Sequence, residues 1–237
     1  MVSRADPVDR PVTVMSALIL RAIVDETIMP EFEKTGGRAE MIWDPTVGLM
    51  RRVADGQKAD AIVAIDWAID ELAAKGRLDL ASRRPLARAS VGVGVLAGAP
   101  RPDISTPAAL RKTLLDAPTL VYSRTGASGI FFDKMIDDFG IGDAIRAKAL
   151  IINAGLTGEK LVSGEVVLAI QQVSELLAVP GVDLVGPLPA ELHATTDFSV
   201  AVFSDAVASD AAGRFLDQLF TPAARKAYEQ AGLEPRF

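Results

Sequence analysis

Leu120-Val-Tyr-Ser-Arg-Thr-Gly-Ala-Ser-Gly-Ile-Phe-Phe-Asp-Lys-Met-Ile136 decides how the rest of the chain is read. Thr119 to Tyr122 is a short, apolar, β-prone run that predicts a buried strand. From Ile130 to Phe139, apolar residues recur at helical spacing: Ile130, Phe131, Met135, Ile136 and Phe139. Between the two lie Ser123, Arg124, Thr125, Gly126, Ala127, Ser128 and Gly129, a small hydroxyl-rich turn with one guanidinium. A strand entering a helix through such a turn gathers free backbone N–H groups and the positive helix end at one point. That is a natural anion site. The plain alternative is a capped helix start, with Ser128 or Thr125 as N-cap and nothing bound. The turn is neither a P-loop, lacking Gly-Lys-Ser/Thr, nor a GxGxxG fingerprint.

Upstream, strands and helices alternate. Val12 to Met15 reads as a strand, about Leu18 to Glu33 as a helix stopped by Gly36-Gly37, and Arg38 to Trp43 as a strand. Asp44-Pro-Thr-Val-Gly48 reads as a turn before a helix over Leu49 to Ala54. Ala59 to Ile65 is a third strand, followed by Asp66-Trp67 and a helix to about Lys75. This rhythm implies a parallel sheet with crossover helices. It changes at Ala89-Ser-Val-Gly-Val-Gly-Val-Leu96, whose two glycines mark a bend or a close backbone approach. Pro107 sits early in a helix that starts near Ser105.

Downstream of the turn, Ala147 to Ile152, Val166 to Ile170 and Val182 to Val185 read as strands. The second delivers Gln171, Gln172, Ser174 and Glu175. A last long strand, Asp197 to Phe203, precedes helices at about Ala206 to Phe220 and Pro222 to Ala231. The strands at Ser90–Leu96 and Asp197–Phe203 form a matched pair. If both cross between two lobes, the polar turns after each strand face one cleft.

The 237 residues suffice for one large domain or two lobes. Apolar residues at 49% and charged residues at 24% are those of a folded chain. A net charge of −6 argues against a general nucleic-acid binder. With no cysteine and His193 as the single histidine, disulfides, thiolate metal sites, a histidine zinc site and a Ser-His-Asp triad fall away, and no cofactor is expected. No apolar run approaches the roughly 18 residues of a membrane span. The polar start, Met1 to Pro11, lacks an apolar core and does not read as a signal peptide. The expectation is cytoplasmic if Met1 is the native start, and periplasmic if a signal was trimmed.

The order of elements resembles the type 2 periplasmic solute-binding proteins, in particular the molybdate-binding protein family. The resemblance runs from Val12-Thr-Val-Met-Ser-Ala-Leu18 to Gly232. It includes Phe32-Glu-Lys-Thr-Gly36, Ala54-Asp-Gly-Gln-Lys-Ala-Asp60, the Ser123–Gly129 turn and Val162-Ser-Gly-Glu165. It implies an α/β fold of two lobes, each a mostly parallel sheet flanked by helices, joined by two crossing strands. Residues 1–88 with 200–237 would form one lobe and 89–199 the other. Ser128-Gly129, Gln172-Val-Ser-Glu-Leu-Leu177 and Val182-Asp-Leu-Val-Gly-Pro-Leu-Pro-Ala-Glu-Leu192 resemble a branch that contains aconitate isomerase.

The resemblance implies a small anion held by neutral hydroxyls and backbone N–H groups. Ser16, Ala17, Thr46, Val47, Ser123, Thr125, Ser128, Gly129, Gln172 and Ser174 are the candidates. Arg124 departs from that pattern and suits a carboxylate, which a guanidinium can hold by two parallel hydrogen bonds. Its alternatives are solvent, or pairing with Asp133 or Asp137. Arg88 is a second candidate, with a surface salt bridge as alternative. An isomerase needs a base, and Glu175 and Asp66 follow strand ends. The alternatives are a surface charge for Glu175 and an N-cap for Asp66. His193 reads as a solvated loop residue, and Trp43 and Trp67 as packing residues, with a place in the cleft wall beside Asp66 as the alternative for Trp67. The expected function is binding of a di- or tricarboxylate in preference to molybdate, in an interdomain cleft. The alternative is a cofactor-independent isomerase shifting an allylic proton on a tricarboxylate. An ABC permease is the expected partner if the chain is exported, with no metal, nucleic acid or membrane insertion.

Overall fold

The computed structural model describes residues 10–237; the start, Met1 to Asp9, where the absence of a signal peptide was read, lies outside them. In chain order the strands are β1 (Val12–Ser16), β2 (Ala39–Trp43), β3 (Ala61–Ile65), β4 (Leu78–Leu96), β5 (Leu120–Ser123), β6 (Ala149–Ile152), β7 (Leu168–Gln172), β8 (Val182–Pro187), β9 (Thr195–Phe203) and β10 (Leu233–Pro235). The helices are α1 (Arg21–Ile23), α2 (Met29–Lys34), α3 (Thr46–Ala54), α4 (Asp66–Ala74), α5 (Pro107–Asp116), α6 (Ala127–Asp138), α7 (Gly142–Arg146), α8 (Gly158–Val162), α9 (Val173–Leu177), α10 (Ser209–Gln218) and α11 (Pro222–Gln230). A 3-10 turn precedes α1, and one π-helical stretch, Val24–Ile28, joins α1 to α2.

The chain divides into two compact units. Unit 1 is Met1–Ala87, Asp197–Glu229 and Pro235–Phe237; unit 2 is Arg88–Thr196 and Gln230–Glu234. Two of the boundaries fall inside β4 and β9, and the other two at the end of α11 and inside β10.

In unit 1, β1 lies between β2 and β3, parallel to both, and β9 runs antiparallel to β3. One core joins Met15, Leu49, Val53, Ile62, Ala64, Ile69 and Leu72. Phe32 of α2 meets Phe215 of α10 edge-on at 5.2 Å. The Asp60 carboxylate is buried and accepts from the N–H groups of Thr13, Val207 and Ala208, tying β1 to the approach to α10.

Unit 2 repeats this plan. β5 lies between β6 and β7, parallel to both, and β4 runs antiparallel to β7 and to β8. The period of two sorts the side chains onto the two faces. Leu120, Tyr122, Leu168 and Ile170 join Phe132, Met135 and Ile136 of α6 in one core. Val121 and Ala169 join Leu161 of α8 and Leu176 of α9 in the other. The two strand glycines permit the close approach expected of them. A Cβ on Gly92 would lie 2.8 Å from Val173 and 3.0 Å from the Gly186 carbonyl, and one on Gly94 would lie 3.0 Å from Val182.

Several boundaries differ from the sequence expectation. Helix α6 begins at Ala127, so its buried face is Phe132, Met135 and Ile136, while Ile130 is 52% exposed. Helix α3 begins at Thr46, where Pro45 presets the backbone, so Thr46 and Val47 lie in its first turn and not in the expected turn. Strand β4 starts eleven residues before Ala89; Arg83-Arg84-Pro85 hid its first half. The short α7 and β10 were not foreseen.

Candidate functional site

Ligands of parallel α/β sheets gather at the carboxyl ends of the strands, where neighbouring connections run in opposite directions. In unit 2 that point is the end of β5 beside β7. Ser123 ends β5, and its Oγ accepts from the N–H groups of Thr125 at 3.3 Å and Gly126 at 3.1 Å. The Ser123 hydroxyl donates to no acceptor among the described residues, so its proton is left for a ligand. Gly126 is the N-cap of α6 and supplies no side-chain bond, so neither Ser128 nor Thr125 caps the helix as expected. The Thr125 hydroxyl donates instead to the Asn153 carbonyl at 2.7 Å, bracing the turn against the segment after β6. Ala127 and Ser128, first in the helix, carry N–H groups without intrahelical acceptors. A Cβ on Gly126 would lie 3.3 Å from Ser123 Oγ and 3.9 Å from Ser128 Oγ, so the two hydroxyls bracket one spot. No acidic residue occupies the first turn. Hydroxyls, free N–H groups and the helix dipole thus converge as an anion requires.

The end of β7 adds a second group of polar side chains. The Gln171 Oε1 accepts from both the N–H and the hydroxyl of Thr157, at 2.7 and 2.8 Å, and its Nε2 donates to the Gly155 carbonyl. Gln172, Ser174 and Glu175 are all buried. The Gln172 N–H donates to Glu175 Oε2 at 3.3 Å, and Gln172 Nε2 donates to Thr196 Oγ1 at 3.4 Å. Burial pushes the Glu175 carboxyl up to about 7, against the pull of hydrogen bonds from the Gln172 N–H and the Gln171 side chain. At 8% exposure Glu175 is not the surface charge named as its alternative. The register sets Leu120 opposite Leu168 and Val121 opposite Ala169, so Ser123 and Gln171-Gln172 leave the sheet along one edge.

Arg124 lies on the other side of that edge. Alternation sets it with Tyr122, and both line a cavity of about 220 Å³ with Gly129, Ile130, Asp133, Arg146 and Ile151. The Tyr122 hydroxyl donates to Asp133 at 2.8 Å, and Arg146 holds Asp133 and Asp137. Asp133 is held below the usual carboxylate range, chiefly by the Arg146 hydrogen bond and to a smaller degree by Tyr122 and the Arg124 charge. Arg124 itself is exposed and forms no salt bridge among the described residues.

Unit 1 has a comparable edge, more fully committed. Ser16, at the end of β1, is buried and donates to the Ala17 carbonyl at 3.1 Å, and the Ala17 N–H donates to Val63. Thr46 Oγ1 accepts from the Ile65 N–H at 3.4 Å. Val47 keeps a free helix N–H, yet the Asp44 carboxylate already sits at this end, where a Cβ on Gly48 would lie 2.3 Å from its Oδ1. Asp66 is the first residue of α4, after Ile65 as N-cap. Its Oδ1 accepts from the Ser199 hydroxyl at 2.6 Å and its Oδ2 from Arg236 at 3.0 Å. Trp67 is 46% exposed, which sets aside the packing role and leaves the alternative named for it. Arg88, in unit 2, approaches Glu234 at 3.8 Å, the surface pairing named as its alternative. His193 is exposed in a left-handed turn. No cluster of metal-ligating side chains occurs among the described residues.

Sequence reasoning missed Thr157, Ser199 and Arg236, which act through partners 14 to 170 residues away and carry no local signal.

With this geometry in place, comparison with known proteins is informative. Residues 12–234 match the family model of the bacterial extracellular solute-binding proteins. An aconitate isomerase of a Pseudomonas species is 33% identical over 235 residues, covering 95% of this chain and 89% of that protein. Among solved structures, the periplasmic molybdate-binding protein of Azotobacter vinelandii superposes with a TM-score of 0.78 at 15% identity, over 94% of this chain and 98% of that one. The sulfate-binding protein of Mycobacterium tuberculosis does so with a TM-score of 0.73 at 19% identity, over 95% and 87%. At such identities the likeness shows the shared α/β fold. The chain is a member of the bacterial extracellular solute-binding protein family.

Proposed function

We propose that the chain binds a small organic anion, a di- or tricarboxylate in preference to molybdate, as a solute-binding receptor. The observation that carries this reading is the start of α6. There the Ser123 hydroxyl, the Ala127 and Ser128 N–H groups and Ser128 Oγ meet with no internal carboxylate to neutralise them. The corresponding helix of unit 1 is already occupied by Asp44. Arg124, in the same turn but on the opposite side of the strand end, adds positive charge nearby, and the relationship to aconitate isomerase favours carboxylate as the anionic group. If the chain is exported, its partner is a membrane permease. Calorimetric titration with molybdate, sulfate, citrate and aconitate tests the reading. Tight molybdate binding with no response to carboxylates would overturn the ligand class.

A second reading, proton transfer on a bound tricarboxylate, is favoured by Glu175. A buried carboxyl poised near neutrality can take a proton from a carbon acid and return it. Removing a proton next to a carboxylate builds charge on that carboxylate, which the α6 start is suited to stabilise. The proton lost from carbon is held on Glu175 and returned at the other end of the allylic system, so no redox partner is required. Proton NMR of cis- and trans-aconitate in deuterated water tests it. Interconversion or deuterium exchange that disappears in Glu175→Gln is the expected result; binding without exchange removes the enzyme and leaves the receptor.

A further inference from the structure

Among the described residues, only two buried side-chain polar atoms lack a hydrogen-bond partner, and they stand two residues apart: Gln172 Oε1 and Ser174 Oγ. Both residues are at least 96% buried, at 2% and 4% exposure. Buried polar atoms are ordinarily paired, because leaving one unpaired forfeits its hydration without return. Two at the end of β7, beside the Ser123 edge, therefore point to a ligand that completes them.

Their chemistry says what the ligand must carry. The Gln172 Nε2 is committed to Thr196, and Gln172 and Glu175 face each other as a capping box. In that box the Glu175 N–H approaches the Gln172 side chain without making a full hydrogen bond. This N–H fixes the amide orientation, since the Nε2 group would meet it donor to donor. Gln172 Oε1 is then an acceptor that asks for a donor. A fully deprotonated oxyanion offers acceptors alone, and would leave it unpaired and repelled. Ser174 Oγ can donate to a carboxylate.

We propose that this corner selects a hydroxycarboxylate, with Gln172 Oε1 accepting from the ligand hydroxyl and Ser174 Oγ donating to a ligand carboxylate. The proposal rests on the carboxylate reading above and narrows it. A site built to hydrogen-bond a hydroxyl rejects the analogue lacking it, because the site's own polar atom is then stranded. The neutral form of Glu175 favoured by burial removes a repulsion that an ionised neighbour would impose on a carboxylate.

The test compares citrate with tricarballylate, which has the same three carboxylates and no hydroxyl, by calorimetry on the whole chain. Citrate is expected to bind roughly tenfold tighter, and the ratio of the two affinities to fall to about one in Gln172→Met. Equal affinities in the parent protein overturn the proposal without any variant. So does a ratio that survives in a folded Gln172→Met. If neither compound binds, the carboxylate reading itself fails and takes this inference with it, whereas equal binding of both leaves that reading standing.

Discussion

A Cβ placed on Gly129 would lie 1.5 Å from the carbonyl oxygen of Ser123. The first turn of α6 therefore rests directly on the end of β5, and the strand, the turn and the helix start are held as one piece. Gly129→Ala is expected to force them apart, at about 1–3 kcal/mol of stability or more. Ligand affinity should fall by a larger factor than in Gly213→Ala, where the added methyl meets open space. Thermal unfolding and calorimetry of the two variants check this. A Gly129→Ala protein matching the parent in both would show that the close contact has no consequence for the site.

Glu175 gives stability a defined pH dependence. Its folded-state value, about 7, lies above the ordinary value of 4.5, so the folded protein binds the proton more tightly than the unfolded chain. Its contribution is fully present below about pH 4.5 and is lost as pH rises through 7. The span corresponds to about 3 kcal/mol. Urea unfolding between pH 4.5 and 8 should show this decline in the parent and a flatter profile in Glu175→Gln. Parallel profiles would mean that the carboxyl is not buried in solution.

Asp66 is expected to act in stability alone. Both of its oxygens are engaged, by Ser199 and by Arg236, which also approaches Asp197 at 3.3 Å. Asp66→Ala leaves a partly buried guanidinium with fewer partners, and should cost about 1–3 kcal/mol. Ligand affinity per folded molecule should stay within about twofold. A large loss of affinity at unchanged stability would return Asp66 to the binding site.

Arg124→Ala is expected to weaken carboxylate binding by about tenfold, and Arg88→Ala by less than twofold. Arg124 is exposed without a salt bridge among the described residues, so a bound anion gains its charge at little cost. Arg88 already has Glu234 within 3.8 Å. Salt should erode the Arg124 effect, because the group is solvent-facing. Titration of both variants at 20 mM and 500 mM salt, concentrations chosen to lie on either side of about 150 mM, decides it. Indifference to the Arg124 change would confine that side chain to the Tyr122–Asp133 cavity.

Local features were legible in the sequence, and remote ones were not. The strand, turn and helix at 120–136 follow from apolar spacing, and Pro107 marked the start of α5, where the structure adds Thr106 as the cap, its hydroxyl accepting from the Ala109 N–H at 3.1 Å. Gly92 and Gly94 announced a close approach. The helix face around Phe132 was misassigned because the start of α6 depends on Gly129 docking on Ser123, a contact that spacing cannot express. The first half of β4 was hidden by Pro85 and its charged neighbours, which are depleted in strands. The raised value of Glu175 depends on burial by residues far along the chain, so the sequence offered the carboxyl without its environment.

Residues 230–234 belong to unit 2 although they follow α10 and nearly all of α11, and a Cβ on Gly232 would lie 2.6 Å from Val173. During synthesis, neither unit has all of its parts until residues 233–236 have left the ribosome. Unit 1 waits for Arg236 to reach Asp66, and unit 2 for Leu233 to pair with β4. The usual order, in which an amino-terminal domain finishes before its successor begins, is closed to this chain. A nascent protein stalled before residue 230 would leave β4 without β10 and Asp66 without Arg236, so both halves would stand unfinished at once for chaperones to shield.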